Sequence, residues 1–156
     1  MRDATAKEVV TSSTEDTQAL GEALGRIAQP GDLLLLCGEL GAGKTCLTQG
    51  IARGLGITEP VRSPTFVLAT EHPGRLTLYH IDLYRLDDTL EVEDLGLDVY
   101  IEGEGVCVVE WADKAMSVFP QEHLLIEIED LGAEKRRLRL TPTGQRYADR
   151  LRQLAP

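Results

Sequence analysis

Gly38-Glu39-Leu40-Gly41-Ala42-Gly43-Lys44-Thr45 fits the spacing G-x-x-x-x-G-K-[ST] at every fixed position. This pattern is typical of a loop that binds phosphate groups through its backbone N–H groups. The apolar run from Leu33 to Cys37 before it has the length of one buried strand, and a helix-like pattern follows Lys44. Strand, glycine loop and helix come in the order that such a site requires, which an ordinary glycine-rich turn would not show.

Each residue type in this loop has a physical role. Gly41 and Gly43 can adopt positive φ and so turn N–H groups inward around an anion. Lys44 would reach the β- and γ-phosphates, and the Thr45 hydroxyl would ligate Mg²⁺. We therefore predict nucleotide contacts along this loop, at Glu39, Leu40, Gly41, Ala42, Gly43, Lys44, Thr45 and Cys46.

Length and composition predict one domain that spans residues 1–156. The chain has a mass of 17.1 kDa, with 42% hydrophobic and 27% charged residues, which is typical of a globular domain. No apolar run is long enough to cross a membrane, and no secretory signal begins the sequence, so we expect a cytoplasmic protein. Cys37, Cys46 and Cys107 show no C-x-x-C spacing and are expected to be reduced thiols.

The formal net charge of −10 argues against direct binding of nucleic acid over the whole surface. The charge is uneven, because from Leu131 to the end seven basic residues face two acidic ones. A solvated strand and helix face would explain this basic tail, and an anion or partner site is the alternative.

Apolar spacing predicts an α/β domain with helices over about 13–28 and from Lys44 to Gly54 or Gly56. A short helix begins at Asp87 or Asp88 and ends by Gly96, and a terminal helix covers 146–154. Predicted strands are 33–37, 66–71, 76–82, 106–109, 124–129 and 136–140. Two antiparallel hairpins, 66–82 and 124–140, make the sheet mixed. We therefore expect a single-domain P-loop NTPase of three α/β/α layers.

Two carboxylates follow apolar strands where catalytic groups of such folds gather. Glu110 comes directly after the run 106–109, and Asp82 ends the preceding strand. The carboxyl ends of neighbouring parallel strands converge at the phosphate loop, so Glu110 is the better candidate for the acid beside Mg²⁺. Asp82 could hold a metal-bound water or orient the attacking one. A surface carboxylate that caps the next turn is the alternative for each.

Four further residues are weaker candidates. Ser63 and Thr65 lie in a proline-stiffened loop that could sense the γ-phosphate, although simple turn hydroxyls are as good an explanation. His80 is expected near the site in a structural role. Trp111 follows Glu110 and is expected in the core first and at a partner surface second.

Four motifs in order resemble the TsaE family, also called YjeE: G-E-L-G-A-G-K-T, V-R-S-P-T-F (61–66), H-I-D-L-Y-R (80–85) and V-V-E-W (108–111). The family consists of small bacterial ATPases needed for threonylcarbamoyladenosine modification of tRNA. The resemblance implies ATP and Mg²⁺ binding, slow hydrolysis, and association with TsaB and TsaD. TsaD transfers the threonylcarbamoyl group to adenosine 37 of tRNAs that read codons starting with A, so tRNA would be met through the complex.

The resemblance also implies residue roles. Thr45 and Glu110 would ligate Mg²⁺, with Asp82 assisting in the site. Ser63 and Thr65 would form a switch-like loop, and Trp111 would lie next to the site. The family holds the base between the first helix and the last hairpin. In this sequence, the corresponding positions are Thr14 and Glu134, Lys135 or Arg136.

Three other functions compete with this interpretation. A small-metabolite kinase shares the loop but usually needs an arginine-bearing lid, and no such segment is evident after Glu110. A GTPase is disfavoured because the chain contains no asparagine, which excludes an N-K-x-D motif. A nucleotide-gated interaction module, in which hydrolysis is incidental, stays open.

Overall fold

The fold is built on a mixed sheet in a computed structural model that describes residues 6–39, 41–61, 69–86 and 88–154. Its elements are β1 (Lys7–Thr11), α1 (Thr14–Ile27), β2 (Leu33–Cys37), α2 (Lys44–Gly54), β3 (Ala69–His72), β4 (Leu78–Asp82), α3 (Thr89–Glu93), α4 (Asp98–Ile101), β5 (Val106–Glu110), β6 (His123–Gly132), β7 (Lys135–Thr143) and α5 (Gln145–Gln153). Two 3-10 turns, Ala112–Lys114 and Met116–Val118, follow β5.

The strands follow the order β1-β7-β6-β2-β5-β4-β3 across the sheet. β2 pairs in parallel with β5 and β6, and β4 pairs in parallel with β5. The pairs β1–β7, β6–β7 and β3–β4 are antiparallel. The predicted mixed sheet with two hairpins is confirmed, and β5 lies inside it as expected.

The leucines of β2 alternate between two cores because helices cover both faces of this part of the sheet. Leu34 and Leu36 pack in a cluster with residues of α1, α2 and α5. Leu33 and Leu35 pack on the other face with Val92 of α3. Burial on both faces explains why β2 is a continuous apolar run rather than an alternating one.

Helices α1 and α2 pack backbone against backbone through four glycines. A Cβ at Gly50 or Gly54 would lie 2.2 Å from a main-chain oxygen of α1, and one at Gly25 would lie 2.2 Å from Ile51 O. Gly21 is comparably tight, at 2.4 Å from Leu47 O. Any side chain larger than hydrogen at these positions would push the helices apart.

Helix α5 is anchored to the turn before β2 by a buried ion pair. Arg150 donates from Nε to Asp32 Oδ2 at 2.7 Å and from Nη2 to Oδ1 at 3.0 Å, and Arg146 Nε donates to Oδ1 at 2.9 Å. The Leu33 N–H donates to the Tyr147 hydroxyl at 2.9 Å. These contacts from α5 thus fix the position of the start of β2.

The arginines of the basic tail all pair with carboxylates. Arg136 contacts Asp130, Arg137 contacts Glu129, and Arg139 contacts Glu8 across the strands. The arginines of α5 pair with Asp32 or, for Arg152, with Asp149. These contacts favour the structural explanation of the tail over an anion site.

The sequence did not predict β1, and it underestimated the last hairpin. β1 has no clear apolar alternation and becomes a strand by pairing with β7, from Lys7 opposite Leu140 to Thr11 opposite Arg136. The hairpin of β6 and β7 extends several residues beyond the predicted 124–129 and 136–140. Of the predicted strand 66–71, residues 66–68 lie outside the described part.

The three cysteines are free in the structure. Burial raises the pKa of the Cys37 and Cys107 thiols to about 12, and it also raises the pKa of Cys46. Protonated thiols are poor nucleophiles and poor metal ligands, in line with the expectation from their spacing.

Among the described residues, every helix is too short or too polar to cross a membrane.

Replacing Gly50 with alanine tests the close helix contact. In an unconstrained helix, Gly→Ala stabilises by about 0.5–1 kcal/mol. Here we expect Gly50→Ala to lower the free energy of unfolding by about 1–3 kcal/mol, because the added methyl meets Gln18 O. Denaturant unfolding measures the change. Arg53→Ala, on the exposed side of α2, is the control and should stay within about 0.5 kcal/mol of the parent. An unchanged or more stable Gly50→Ala would contradict the contact.

Candidate nucleotide-binding site

The glycine loop connects β2 to α2 and has the backbone conformation that its sequence predicts. Gly41 has φ of +82° and Gly43 has φ of +110°, both in the left-handed region that glycine favours. Gly43 is also the N-cap of α2 and lacks a side-chain cap, so the first N–H groups of the helix are directed at the loop. Leu40, a predicted contact, lies outside the described residues.

The Lys44 ammonium is held within the loop and against an aromatic ring. Nζ donates to the carbonyl oxygens of Gly38 at 2.5 Å and Glu39 at 2.9 Å, and it lies 3.8 Å from the centroid of the Trp111 ring. Burial lowers the pKa of Lys44, although the carboxylates of Glu110 and its neighbours act in the opposite direction. The loop lysine is therefore already positioned where phosphate oxygens could replace its carbonyl acceptors.

Thr45 and Glu110, the two predicted metal ligands, are in direct contact. Thr45 Oγ1 lies 3.0 Å from Glu110 Oε1 and 3.3 Å from Oε2. Glu110 ends β5 next to β2, in register with Leu36, which brings its carboxylate to the first turn of α2. The expectation that strand ends converge on the loop is confirmed for this residue.

Two groups that sequence reasoning missed or undervalued also contact Glu110. Thr48, one helical turn after Thr45, donates from Oγ1 to Lys44 O at 2.9 Å and lies 3.4 Å from Glu110 Oε2. His80 is fully buried, and its Nε2 lies 2.5 Å from the same oxygen. The i, i+3 spacing of the two threonines was the available signal for Thr48. His80 was placed near the site, but its contact with Glu110 was not predicted.

Asp82 lies beside Glu110, as predicted. It ends β4 in register with Glu110 and is 7% exposed. Its Oδ1 accepts the Tyr84 N–H at 2.9 Å, so one carboxylate oxygen caps the next turn. The structure thus contains the capping contact that was the alternative to a catalytic role, at a position that also faces the site.

Trp111 has a left-handed backbone, with φ of +62°. This conformation is unfavourable for a bulky side chain and occurs more often at functional sites. The indole packs partly on the core and 5.0 Å from the Tyr84 ring, centroid to centroid. Both the expected core contact and a contact with the loop lysine are therefore present.

The residues to which the family resemblance pointed for the base surround the other side of the loop. Glu134 Oε1 accepts from the Thr14 N–H at 3.1 Å and lies 3.3 Å from Thr14 Oγ1. The Cys46 thiol donates to Thr14 O at 3.5 Å, and Arg136 Nη2 donates to Gly41 O at 3.4 Å. Lys135 begins β7 and is exposed. The start of α1, the start of α2 and the β6–β7 turn thus meet at one place.

The donor atoms around Glu110 fit Mg²⁺ bound together with phosphates. Among the described residues, no group of three or more His, Cys, Asp or Glu side chains could by itself hold a metal ion. A hydroxyl and a carboxylate side by side are hard oxygen ligands, and Mg²⁺ is usually held by one or two carboxylates plus substrate phosphates and water. The site does not resemble a dedicated all-protein metal cage.

A separate groove of about 530 Å³ opens at the start of the loop, on the sheet face formed by β1, β6 and β7. Its carboxylates are Glu8, Glu39, Glu127, Glu129 and Asp130. Its two arginines, Arg137 and Arg139, already pair with Glu129 and Glu8. Such an acidic lining would repel a nucleotide, so the loop is the better candidate for the phosphate site.

The predicted switch-like residues Ser63 and Thr65 lie outside the described part of the chain, and their role stays a prediction.

Comparison with known proteins identifies relatives over most of the chain. The family model described as "Threonylcarbamoyl adenosine biosynthesis protein TsaE" matches residues 11–138. The protein named tRNA threonylcarbamoyladenosine biosynthesis protein TsaE in Bacillus subtilis (strain 168) is 49% identical over 138 residues, which cover 88% of this chain and 86% of the relative. Its namesake in Treponema pallidum (strain Nichols) is 41% identical over 129 residues, or 83% of this chain and 96% of the relative.

A solved structure shares the fold. The crystal structure of Bacillus subtilis YdiB superposes with a TM-score of 0.84 at 41% sequence identity, and the match covers 96% of this chain and 93% of YdiB. The overall fold is therefore shared with that protein. The residues that the family model matches, 11–138, include the glycine loop and both strand-end carboxylates.

Proposed function

Because the chain belongs to the TsaE family of threonylcarbamoyl adenosine biosynthesis proteins, we propose that it is an ATPase that supports threonylcarbamoylation of adenosine 37 in tRNA. The observation that carries the proposal is the 3.0 Å contact between Thr45 Oγ1 and Glu110 Oε1 at the phosphate-binding loop. In P-loop NTPases a loop threonine and a strand-end acid hold the Mg²⁺ that accompanies the nucleotide. The proposed reaction is hydrolysis of ATP to ADP and phosphate.

Phosphate binding, metal binding and positioning of water are assigned to different residues of the site. The loop N–H groups and the start of α2 bind the phosphates, and Lys44 exchanges its carbonyl acceptors for phosphate oxygens. Thr45 and Glu110 would hold Mg²⁺, which would neutralise negative charge on the phosphates. Asp82, in register with Glu110, orients the attacking water.

The base would lie where α1, α2 and the β6–β7 turn meet. Thr14, Cys46, Glu134 and Arg136 are joined there by hydrogen bonds to one another or to the loop, and Lys135 lies next to them in sequence. Adenine offers hydrogen-bonding edges and a flat apolar face, which such a mixed surface can accept. The absence of asparagine from the sequence removes the usual means of recognising guanine.

A small-metabolite kinase is the weaker alternative. Such an enzyme would need arginines free to close over the transferred phosphate. Every arginine after Glu110 instead lies in the hairpin or in α5 and pairs with a carboxylate. Water is therefore the better acceptor for the γ-phosphoryl group.

The partners that we propose are TsaB and TsaD, with tRNA contacted through the complex in the cytoplasm. The names of the relatives link those proteins to tRNA threonylcarbamoyladenosine biosynthesis. The acidic charge of this chain disfavours tight direct binding of tRNA. ATP hydrolysis would then serve an assembly cycle and respond to partners.

Calorimetry with ATP, ADP and GTP tests the nucleotide. We expect ATP and ADP to bind in the presence of Mg²⁺ and GTP to bind at least about tenfold more weakly, because the chain lacks a guanine-reading asparagine. Lys44→Ala is the control for binding at the loop and should lose most of the affinity. A preference for GTP, or no binding of ATP, would refute the proposal.

Isosteric changes of the two carboxylates test their roles in hydrolysis. We expect Glu110→Gln and Asp82→Asn to lower kcat by roughly 100-fold or more and to change ATP affinity much less, because positioning of metal and water acts on the transition state. Steady-state phosphate release and calorimetry measure the two effects. Glu93→Ala, an exposed carboxylate of α3, is the control. Unchanged turnover in either variant would remove that residue from the catalytic site.

Reconstitution with TsaB and TsaD tests the biological role. With tRNA and a source of the threonylcarbamoyl group, we expect repeated rounds of modification only when this chain and ATP are present. The site variant Glu110→Gln should support far fewer rounds than the control Glu93→Ala. Equal product yield without this chain would contradict the assignment to threonylcarbamoylation.

A further inference from the structure

A histidine is energetically unfavourable at position 80 in the core. Its side chain is fully buried in β4, opposite Val108 of β5. Its Nδ1 is buried and lacks a hydrogen-bond partner among the residues that the structure describes. An unpaired polar atom in the interior is unfavourable, and a leucine would fill the space without that penalty. Packing alone therefore does not explain a histidine here.

The other ring nitrogen accounts for the choice of residue. Nε2 lies 2.5 Å from Glu110 Oε2. An ionised carboxylate only accepts hydrogen bonds, so Nε2 carries the proton and donates it. The ring is confined by the core around it, so the position of this donor is fixed.

The contacts of Glu110 divide its two oxygens between different neighbours. Oε2 receives His80 at 2.5 Å and has Thr48 Oγ1 at 3.4 Å. Oε1 is the oxygen nearer to Thr45, at 3.0 Å. A donor that fixes Oε2 from inside the core leaves Oε1 directed toward the loop threonine. The contact with His80 thus holds the carboxylate with Oε1 beside Thr45.

We propose that His80 is a positioning residue that orients the Glu110 carboxylate toward the Mg²⁺ that accompanies the nucleotide. The proposal rests on the proposed function, because it assigns His80 to the same site. His80 itself does not contact the nucleotide or the metal. Outer partners of this kind commonly change metal affinity by 10–100-fold when they are removed.

Two amide variants separate positioning from packing. The side-chain NH₂ of glutamine can reach the place of His80 Nε2, whereas the shorter asparagine ends near the place of Nδ1. We measure the affinity for a non-hydrolysable ATP analogue by calorimetry, once with Mg²⁺ and once with EDTA. The ratio of the two affinities is the gain due to Mg²⁺.

We expect His80→Asn and His80→Leu to reduce this Mg²⁺-dependent gain by about tenfold and to leave the affinity in EDTA unchanged. His80→Gln should keep the gain within about threefold of the parent. Denaturant unfolding without nucleotide establishes that each variant is folded, and if His80→Leu does not fold, the asparagine and glutamine pair carries the test. His123→Leu, a β6 histidine that donates from Nδ1 to Pro120 O, is the matched control and should keep the full gain.

The possible failures are distinguishable. Equal weakening of His80→Asn with and without Mg²⁺ would show a packing role only and overturn the proposal. The proposal is also overturned if His80→Gln loses as much of the Mg²⁺-dependent gain in affinity as His80→Asn does, or if neither variant changes that gain. A parent protein that binds the analogue with no gain from Mg²⁺ would instead refute the proposed function, and this proposal with it.

Discussion

The buried carboxylate of Glu110 is the group on which the rest of the site depends. It is 2% exposed, and an ionised carboxylate is tolerated in the interior only when hydrogen bonds replace its water. Thr45 supplies one from α2, where Thr48 Oγ1 also lies 3.4 Å away, and His80 supplies one from β4. One charge therefore ties the first turn of the loop helix to two neighbouring strands. A buried, hydrogen-bonded charge of this kind contributes less to the free energy of unfolding than to fixing one defined arrangement of the site.

The scaffold holds this arrangement by fixing both ends of β2. At its start, Asp32 is bound by Arg150 of α5, and at its end the glycine loop leads into α2. Helix α2 is in turn locked against α1 by backbone contact at their glycines. That contact determines where α1 begins, and so it brings Thr14 to within 3.5 Å of the Cys46 thiol. The phosphate side of the loop and the side proposed for the base are both positioned by the same helix pair.

The parts of the site that follow from local sequence could be predicted, and the parts that depend on register between distant elements could not. The loop, its helix and the convergence of Asp82 with Glu110 follow from a motif and from the geometry of parallel strands. The pairing of β1 with β7 and the contact between Asp32 and Arg150 join residues far apart in the chain. A G-x-x-x-G spacing, present in both α1 and α2, was a readable signal for the helix contact.

Charge explains how a protein of net charge −10 can bind an anionic ligand. The arginines of the C-terminal segment are engaged by carboxylates, so they leave no broad basic surface there. Positive potential is instead concentrated at the loop, from the start of α2 and the Lys44 ammonium. A local field of this kind suits a compact polyphosphate but not an extended phosphate backbone, whose binding needs many dispersed cations. Within the proposed function, a partner with its own basic surface would therefore carry the tRNA.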